Sequence, residues 1–341
     1  MSLPAVFARF RDDIESEIKS LVLEEDFPLY RMMGYHMGWL NEHGEVEEVN
    51  SSGKRIRPTL CLLACEALGG DLKAALPAAA AVELVHNFSL IHDDIQDGNS
   101  ERHNRPTVWW VWGPAQAINA GDGMHALARL SLLRQTDKGM SPERALKAVG
   151  LLDQACLRLC EGQYLDLTYQ ERVDISQDAY FKMIEGKSAA LLSCAAELGA
   201  VMCSAKEPAA RAMAAFGAKL GLAFQIRDDI LDLWGQQDTG KPLAGDILNK
   251  KKSLPIVYAI ENASGAERRT LGDVYFKRVM EPEDIEKIIG VLETLGAREF
   301  SQEKANTLCE EAVQSLREAG LTSSQTEELE AVARFIVTRD S

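Results

Sequence analysis

The chain has 341 residues, 46% of them apolar, enough for a sizeable core in one large domain or two medium ones. Its 37 Lys and Arg against 52 Asp and Glu leave a net charge of -15, the wrong sign for coating nucleic acid or an anionic membrane. The seven cysteines are odd in number and lack paired zinc-type spacing, which predicts buried, reduced thiols in a cytoplasmic protein.

The first residues turn acidic by position 12 without a long apolar core, so neither a signal peptide nor a basic transit sequence is expected. No run approaches the roughly 20 apolar residues of a spanning helix, which predicts no membrane span. Ala, Leu and Glu recur at three- and four-residue spacing, and strand-type alternation is scarce. The expected fold class is all-α. In chain order, helices are predicted at about 5–24, 28–41, 57–69, 74–97, 114–135, 142–170, 176–203, 207–234, 254–263, 282–295, 298–319 and 323–338. Breaks fall at "NSSGKRIRP", "GNSERHNRPT", "EPAA" and "GQQDTGKPLAGDILNKKKSLP". None is long enough for an interdomain linker, and no solenoid period occurs, so residues 1–341 are expected to form one helical domain.

The chemistry-bearing residues sit at these breaks. The predicted helix 74–97 ends in "SLIHDDIQD", which puts Asp93 and Asp97 one turn apart on one face with Asp94 beside them. The same Asp-Asp-x-x-Asp spacing closes another apolar helix in "LAFQIRDDILDLWG", with Asp228, Asp229 and Asp232. One such cluster is ordinarily a solvated helix end. Two alike point to divalent cations, since Mg²⁺ takes one or two carboxylates and fills its other positions with water and phosphate oxygens. Cations lie in the adjoining loops: Lys54, Arg55 and Arg57 in "GKRIRP", Arg102 and Arg105 in "ERHNRP", and Lys241, Lys250, Lys251 and Lys252 in "GKPLAGDILNKKKSLP". Placed beside acidic motifs, they predict capture of an anion such as a diphosphate.

These motifs, together with "VELVHNFSLIHDDIQD", "EGQYLDL", "MIEGKSAALLSCAAELGA" and "RFIVTRD", make nearly the whole chain resemble the trans-type isoprenyl diphosphate synthases, the polyprenyl synthetase family. The resemblance implies a single bundle of long antiparallel helices around a deep central cavity, with the two Asp motifs facing each other at its mouth, and a homodimer. It implies that Asp93, Asp94, Asp97, Asp228, Asp229 and Asp232 supply the ligands for three Mg²⁺ ions, with Asp93, Asp97 and Asp229 foremost. Arg102, Lys187 and Lys251, with Lys241 from the same loop, would bind the diphosphate of an allylic substrate. Lys54, Arg57 and His86 match the pocket for isopentenyl diphosphate, and His103 stands at the position of a family arginine that helps to hold that substrate. Ser188, where Thr is more usual, and Gln225 match positions near the reacting carbon, although a capping or core hydrogen bond suits either equally well. The implied reaction condenses the two substrates into a longer prenyl diphosphate.

Product length is read from Phe88 and Ser89, which precede Asp93 on its own helix and lie where the growing chain extends. In the family a bulky residue there acts as a floor. Phe88 with the uninserted "DDIQD" tilts the expectation to geranylgeranyl diphosphate over farnesyl diphosphate. One departure stands out: the family has two adjacent arginines where this chain has Arg102 followed by His103, which lacks a permanent charge and a bidentate fork. It keeps a class I terpene synthase as the rival, an enzyme that ionises an allylic diphosphate without condensing it. The second Asp triplet and "GKRIRP" weigh against that rival. A non-catalytic partner subunit is disfavoured because both Asp motifs are intact. Trp109, Trp110 and Trp112 are expected to pack.

Overall fold

Runs of Ala, Leu, Glu and Lys become helices, several opened by a side-chain cap such as Asp71, Ser141 or Ser176 and several by Pro in the first turn. The computed structural model describes residues 5–47, 53–235, 245–275, 277, 280–318 and 320–340. In chain order these are α1 (Ala5–Val22), α2 (Pro28–His36), α3 (Ile56–Ala67), α4 (Leu72–Gln96), the strands β1 (Glu101–Arg102) and β2 (Arg105–Pro106), α5 (Val108–Trp112), α6 (Pro114–Leu133), α7 (Pro142–Gln170), α8 (Gln177–Ile184), a π-helical turn (Glu185–Ala189), α9 (Ala190–Met202), α10 (Glu207–Trp234), α11 (Gly245–Leu248), α12 (Leu254–Asn262), α13 (Gly265–Tyr275), α14 (Pro282–Thr294), α15 (Ala297–Glu318) and α16 (Ser323–Thr338). A 3-10 turn, Arg134–Thr136, follows α6. The all-α expectation holds. Residues 142–170 form one helix, as expected, because Ser141 caps it by accepting from Arg144 N and Pro142 opens its first turn.

The centre of the fold is α4, whose residues from Ala78 to Val85 are buried almost without exception. It packs against α3, α6 and α9, while α10 lies between α9 and α15. By length and apolarity α4 would pass for a membrane helix, with a best-window mean hydropathy of 1.4, against the expectation that no such segment exists. Yet 78% of that window is buried among other helices, as befits the core helix of a bundle. A smaller apolar cluster, including Ile256, Leu271, Ile288 and Leu292, joins α12, α13 and α14, and Trp234 packs against both clusters.

Three features depart from the sequence reading. The predicted helix 176–203 is interrupted by the π turn at Glu185–Ala189. The hairpin, α5 and α13 are too short or too polar for periodicity to reveal. Cys160 is exposed and Cys203 half-buried, whereas the other five cysteines are buried. Four residues of helix rotate a side chain by about 40°, so Cys160 is turned off the buried line of Cys156 and joins Leu157 and Tyr164 on the outer stripe of α7. Ile118, Leu130 and Leu133 on α6 and Leu146 on α7 are exposed as well. The tryptophans divide: Trp109 Nε1 donates to Asn99 O at 2.8 Å, Trp112 meets Tyr35 edge to face, and Trp110 remains 60% exposed.

Candidate active site

The three aspartates at the end of α4 have different surroundings. Asp94 is buried, and Arg102 donates to its carboxylate through Nε and Nη2 at 2.7 to 3.0 Å. Arg102 reaches it from β1, whose two-residue turn to β2 places both His103 and Asn104 at positive φ, 52° and 60°. Asp97 accepts from Lys251 Nζ at 2.9 Å through Oδ2, while its Oδ1 is buried without a hydrogen-bond partner. Burial pushes the Asp93 carboxyl up, Lys187 pulls it down, and Asp97 pushes it up again. Two close carboxylates with an unsatisfied oxygen suit a hard divalent cation. Among the described residues no three acidic, His or Cys side chains converge on one point, so any such ion would complete its shell with water or phosphate oxygens.

Opposite Asp97, Asp166 of α7 accepts from Lys187 Nζ at 2.5 Å and lies 3.7 Å from Lys251 Nζ. Burial alone would raise its carboxyl, but the two ammonium groups hold it below the usual carboxylate range. Lys187 sits on the π turn, an arrangement common at functional sites because it redirects side chains without ending the helix. The turn lies directly on α7 at Gly162, where an added Cβ would come within 2.0 Å of Lys187 N.

The second triplet is arranged otherwise than expected. Asp229 is buried and already accepts three hydrogen bonds: Tyr180 Oη at 2.6 Å, Leu254 N at 2.8 Å and Gln225 Nε2 at 2.9 Å. These three donors set Asp229 apart from Asp228 and Asp232, which keep more of their carboxylate surface open. Asp228 is 40% exposed at its side chain and is paired with Arg339, and Asp232 is half-exposed beside Gly245. Ser188 donates to Gln225 Oε1, so Ser188, Gln225 and Asp229 form one chain.

The cations also sort themselves. Burial lowers Lys54 and Arg57, and both feel Asp228 and Arg339. His86 lies well below its ordinary pKa through burial and then Arg57 and Arg102, so it is neutral at pH 7. A cavity of about 80 Å³ is lined by His36, His86, Arg55, Arg102, His103 and other residues. Arg339 was not a candidate from its spacing, and only folding brings it here, over the Phe224 ring at 4.4 Å. Arg55 reaches Glu15 and Glu83 at 2.7 and 2.6 Å while its Nη2 is buried without a hydrogen-bond partner, and Arg105 reaches two backbone carbonyls and Glu47. Lys250 and Lys252 donate to carbonyl oxygens. Lys241 lies outside the described residues.

A family model described as polyprenyl synthetase matches residues 40–292. The chain belongs to the polyprenyl synthetase family. It is therefore a prenyltransferase of the trans-isoprenyl diphosphate synthase type. It is 36% identical over 314 residues to a (2E,6E)-farnesyl diphosphate synthase of Mycobacterium tuberculosis, covering 91% of this chain and 86% of that one. It is also 36% identical over 337 residues to a geranylgeranyl diphosphate synthase of the same organism, covering 98% and 94%. Among solved structures, a polyprenyl synthetase from Streptomyces coelicolor superposes with a TM-score of 0.90 at 35% identity over 98% of this chain and 99% of that one.

In this polyprenyl synthetase, Phe88 lies one turn and a little more before Asp93 and is buried. Its ring stacks on His125 of α6, centroids 4.9 Å apart, and meets His92 edge to face at 5.1 Å. His125 is braced by Arg129 Nη2 at 2.9 Å, and Arg129 by Asp153 at 2.6 Å. Ser89 Oγ turns back to His86 O at 2.7 Å. The layer behind Phe88, built from α6 and α7, is invisible to a reading along α4.

Proposed function

We propose that this prenyltransferase condenses isopentenyl diphosphate with an allylic diphosphate, using Mg²⁺, to give a short all-trans prenyl diphosphate, geranylgeranyl diphosphate in first place. The observation that carries the reading is that two short segments lie between the Asp motifs, one bonded to both and the other bonded to the second motif while its Lys187 charge acts on Asp93 of the first. The π turn carries Lys187, paired with Asp166, and is bonded to the second motif through Ser188, Gln225 and Asp229. The segment before α12 is bonded to both, with Lys251 on Asp97 and Leu254 N on Asp229. A diphosphate between the motifs would meet both.

Asp93, Asp97, Asp228 and Asp232 would hold the metals, with three the expected number, and Mg²⁺ would neutralise the diphosphate and stabilise departing pyrophosphate. Lys187 and Lys251, held ready by Asp166, would turn their ammonium groups to the same oxygens. Lys54, Arg57, His86 and His103 would receive isopentenyl diphosphate, with Arg339 beside them. The Gln225 amide, fixed at both ends, keeps an acceptor lone pair for positive charge at the reacting carbon. Phe88 over His125 would stop the growing chain.

The assembly is read as one domain and a cytoplasmic homodimer, for which the exposed apolar residues of α6 and α7 offer the contact face. The deciding experiment supplies Mg²⁺, labelled isopentenyl diphosphate and each of dimethylallyl, geranyl and farnesyl diphosphates, followed by chain-length analysis. A twenty-carbon product is expected. A fifteen-carbon limit would make it a farnesyl diphosphate synthase. Loss of allylic diphosphate without incorporation would favour ionisation without condensation, the outcome His103 keeps open.

A further inference from the structure

Three consecutive lysines precede α12, and they point three ways. Lys250 adopts a left-handed backbone, φ 54°, and donates to Lys277 O. Lys251 enters the mouth of the site beside Asp97 and Asp166. Lys252 turns inward, 2% exposed, with Nζ 2.6 Å from Lys250 O, 3.2 Å from Gln170 O and 5.0 Å from the centre of the Tyr275 ring.

Burying an ammonium on carbonyl oxygens alone is unfavourable, and methionine would fill similar space without the charge. Gln170 is the last residue of α7, where carbonyls lack intrahelical partners and the helix dipole favours a cation. Asp166, the partner of Lys251, stands one turn earlier on the same helix. Adjacent lysines thus dock one loop on a single turn of α7.

We propose that Lys252 is a positioning residue, stapling the loop to the end of α7 so that Lys251 is held at the diphosphate of the allylic substrate. The role deepens the prenyltransferase reading and rests on it. Burial, then Lys250, lowers the Lys252 pKa to about 8, so the staple loses its charge as pH rises through that value. The groups facing it are Lys250 and Lys251 from its loop, Asp166 and the Gln170 carbonyl from α7, and Tyr275 from α13. Asp97 lies beyond Lys251, and Asp229 lies behind Leu254.

The test compares Lys252→Met with wild type in steady-state kinetics, thermal unfolding and calorimetric binding of inorganic pyrophosphate with Mg²⁺. The expected result is a roughly tenfold or greater rise in KM for the allylic diphosphate and in Kd for pyrophosphate, with KM for isopentenyl diphosphate within about twofold. Unchanged KM for the allylic substrate and unchanged pyrophosphate binding would overturn the proposal. If the variant does not fold, wild type decides: KM for the allylic substrate should climb between pH 7 and 9 while that for isopentenyl diphosphate does not. A flat profile would overturn it. If wild type forms no product at all, the prenyltransferase reading fails separately, and pyrophosphate binding between pH 7 and 9 still tests the staple.

Discussion

Lys251 Nζ lies 2.9 Å from Asp97 Oδ2, joining residues 154 apart in the chain. The contact brings the second half of the molecule to the end of α4, and a diphosphate with its metals would replace it. Asp97→Ala should lower kcat by at least roughly 10²–10³-fold while the far-ultraviolet circular dichroism stays unchanged, because a charge-stabilising group is lost from the reaction centre. Turnover at the wild-type rate in saturating Mg²⁺ would remove Asp97 from the metal site.

Gly162 is the point at which α7 touches the π turn. An alanine Cβ there would lie 2.0 Å from Lys187 N and 2.7 Å from Gly186 C, both backbone atoms that cannot swing aside. Gly162→Ala should cost about 1–3 kcal/mol of stability and displace Lys187 and Ser188 together. Denaturant unfolding alongside kinetics is the check, and a stable variant with normal kcat would show that the crossing can relax.

Phe88 is buried and stacked on His125, and the proposed function makes it the floor of the chain-length cavity. Phe88→Ala should shift the product towards longer chains by one or more five-carbon units, read by chromatography of the dephosphorylated alcohols. An unchanged product distribution would move the floor to other residues.

His103 occupies a turn position with φ 52° and lines the cavity shared with His86 and Arg102. His103→Arg adds a permanent charge and a bidentate donor. If isopentenyl diphosphate binds there, its KM should fall by roughly tenfold, the scale of one charge-assisted hydrogen bond. A KM that rises or stays level would place the second substrate elsewhere.

His36, bonded to Asn87 Oδ1 at 3.1 Å, has its pKa lowered to about 3 by burial and then by Arg102. The unfolded chain takes up this proton near pH 6.5, the folded chain far lower, so stability is complete above about pH 6.5 and declines as pH falls towards 3. At pH 5 the loss should be about 1–2 kcal/mol from this residue. Thermal midpoints of wild type and His36→Gln between pH 5 and 7.5 provide the measurement. The variant should show the flatter profile, with His86 and His125, both lowered in the same direction by burial, contributing to the slope that remains.

What the sequence determined by itself is the set of local patterns. Apolar periodicity, with Asp71 and Ser141 as caps and Pro in the first turn of α10, specifies α4, α7 and α10, and the repeated Asp spacing marks where two of them end. The pairing of Lys251 with Asp97, the satisfaction of Asp229 by three donors and the arrival of Arg339 beside Asp228 are decisions of tertiary structure. So are the burial of Arg55 between two glutamates and the bracing of Phe88 by His125. The physical reason is that a helix places its own residues within a turn of one another, whereas a carboxylate's role depends on which donors other helices bring to it. Asp228 and Asp229 are neighbours in sequence with the same side chain. Packing alone leaves one at the surface beside an arginine and buries the other among three hydrogen-bond donors.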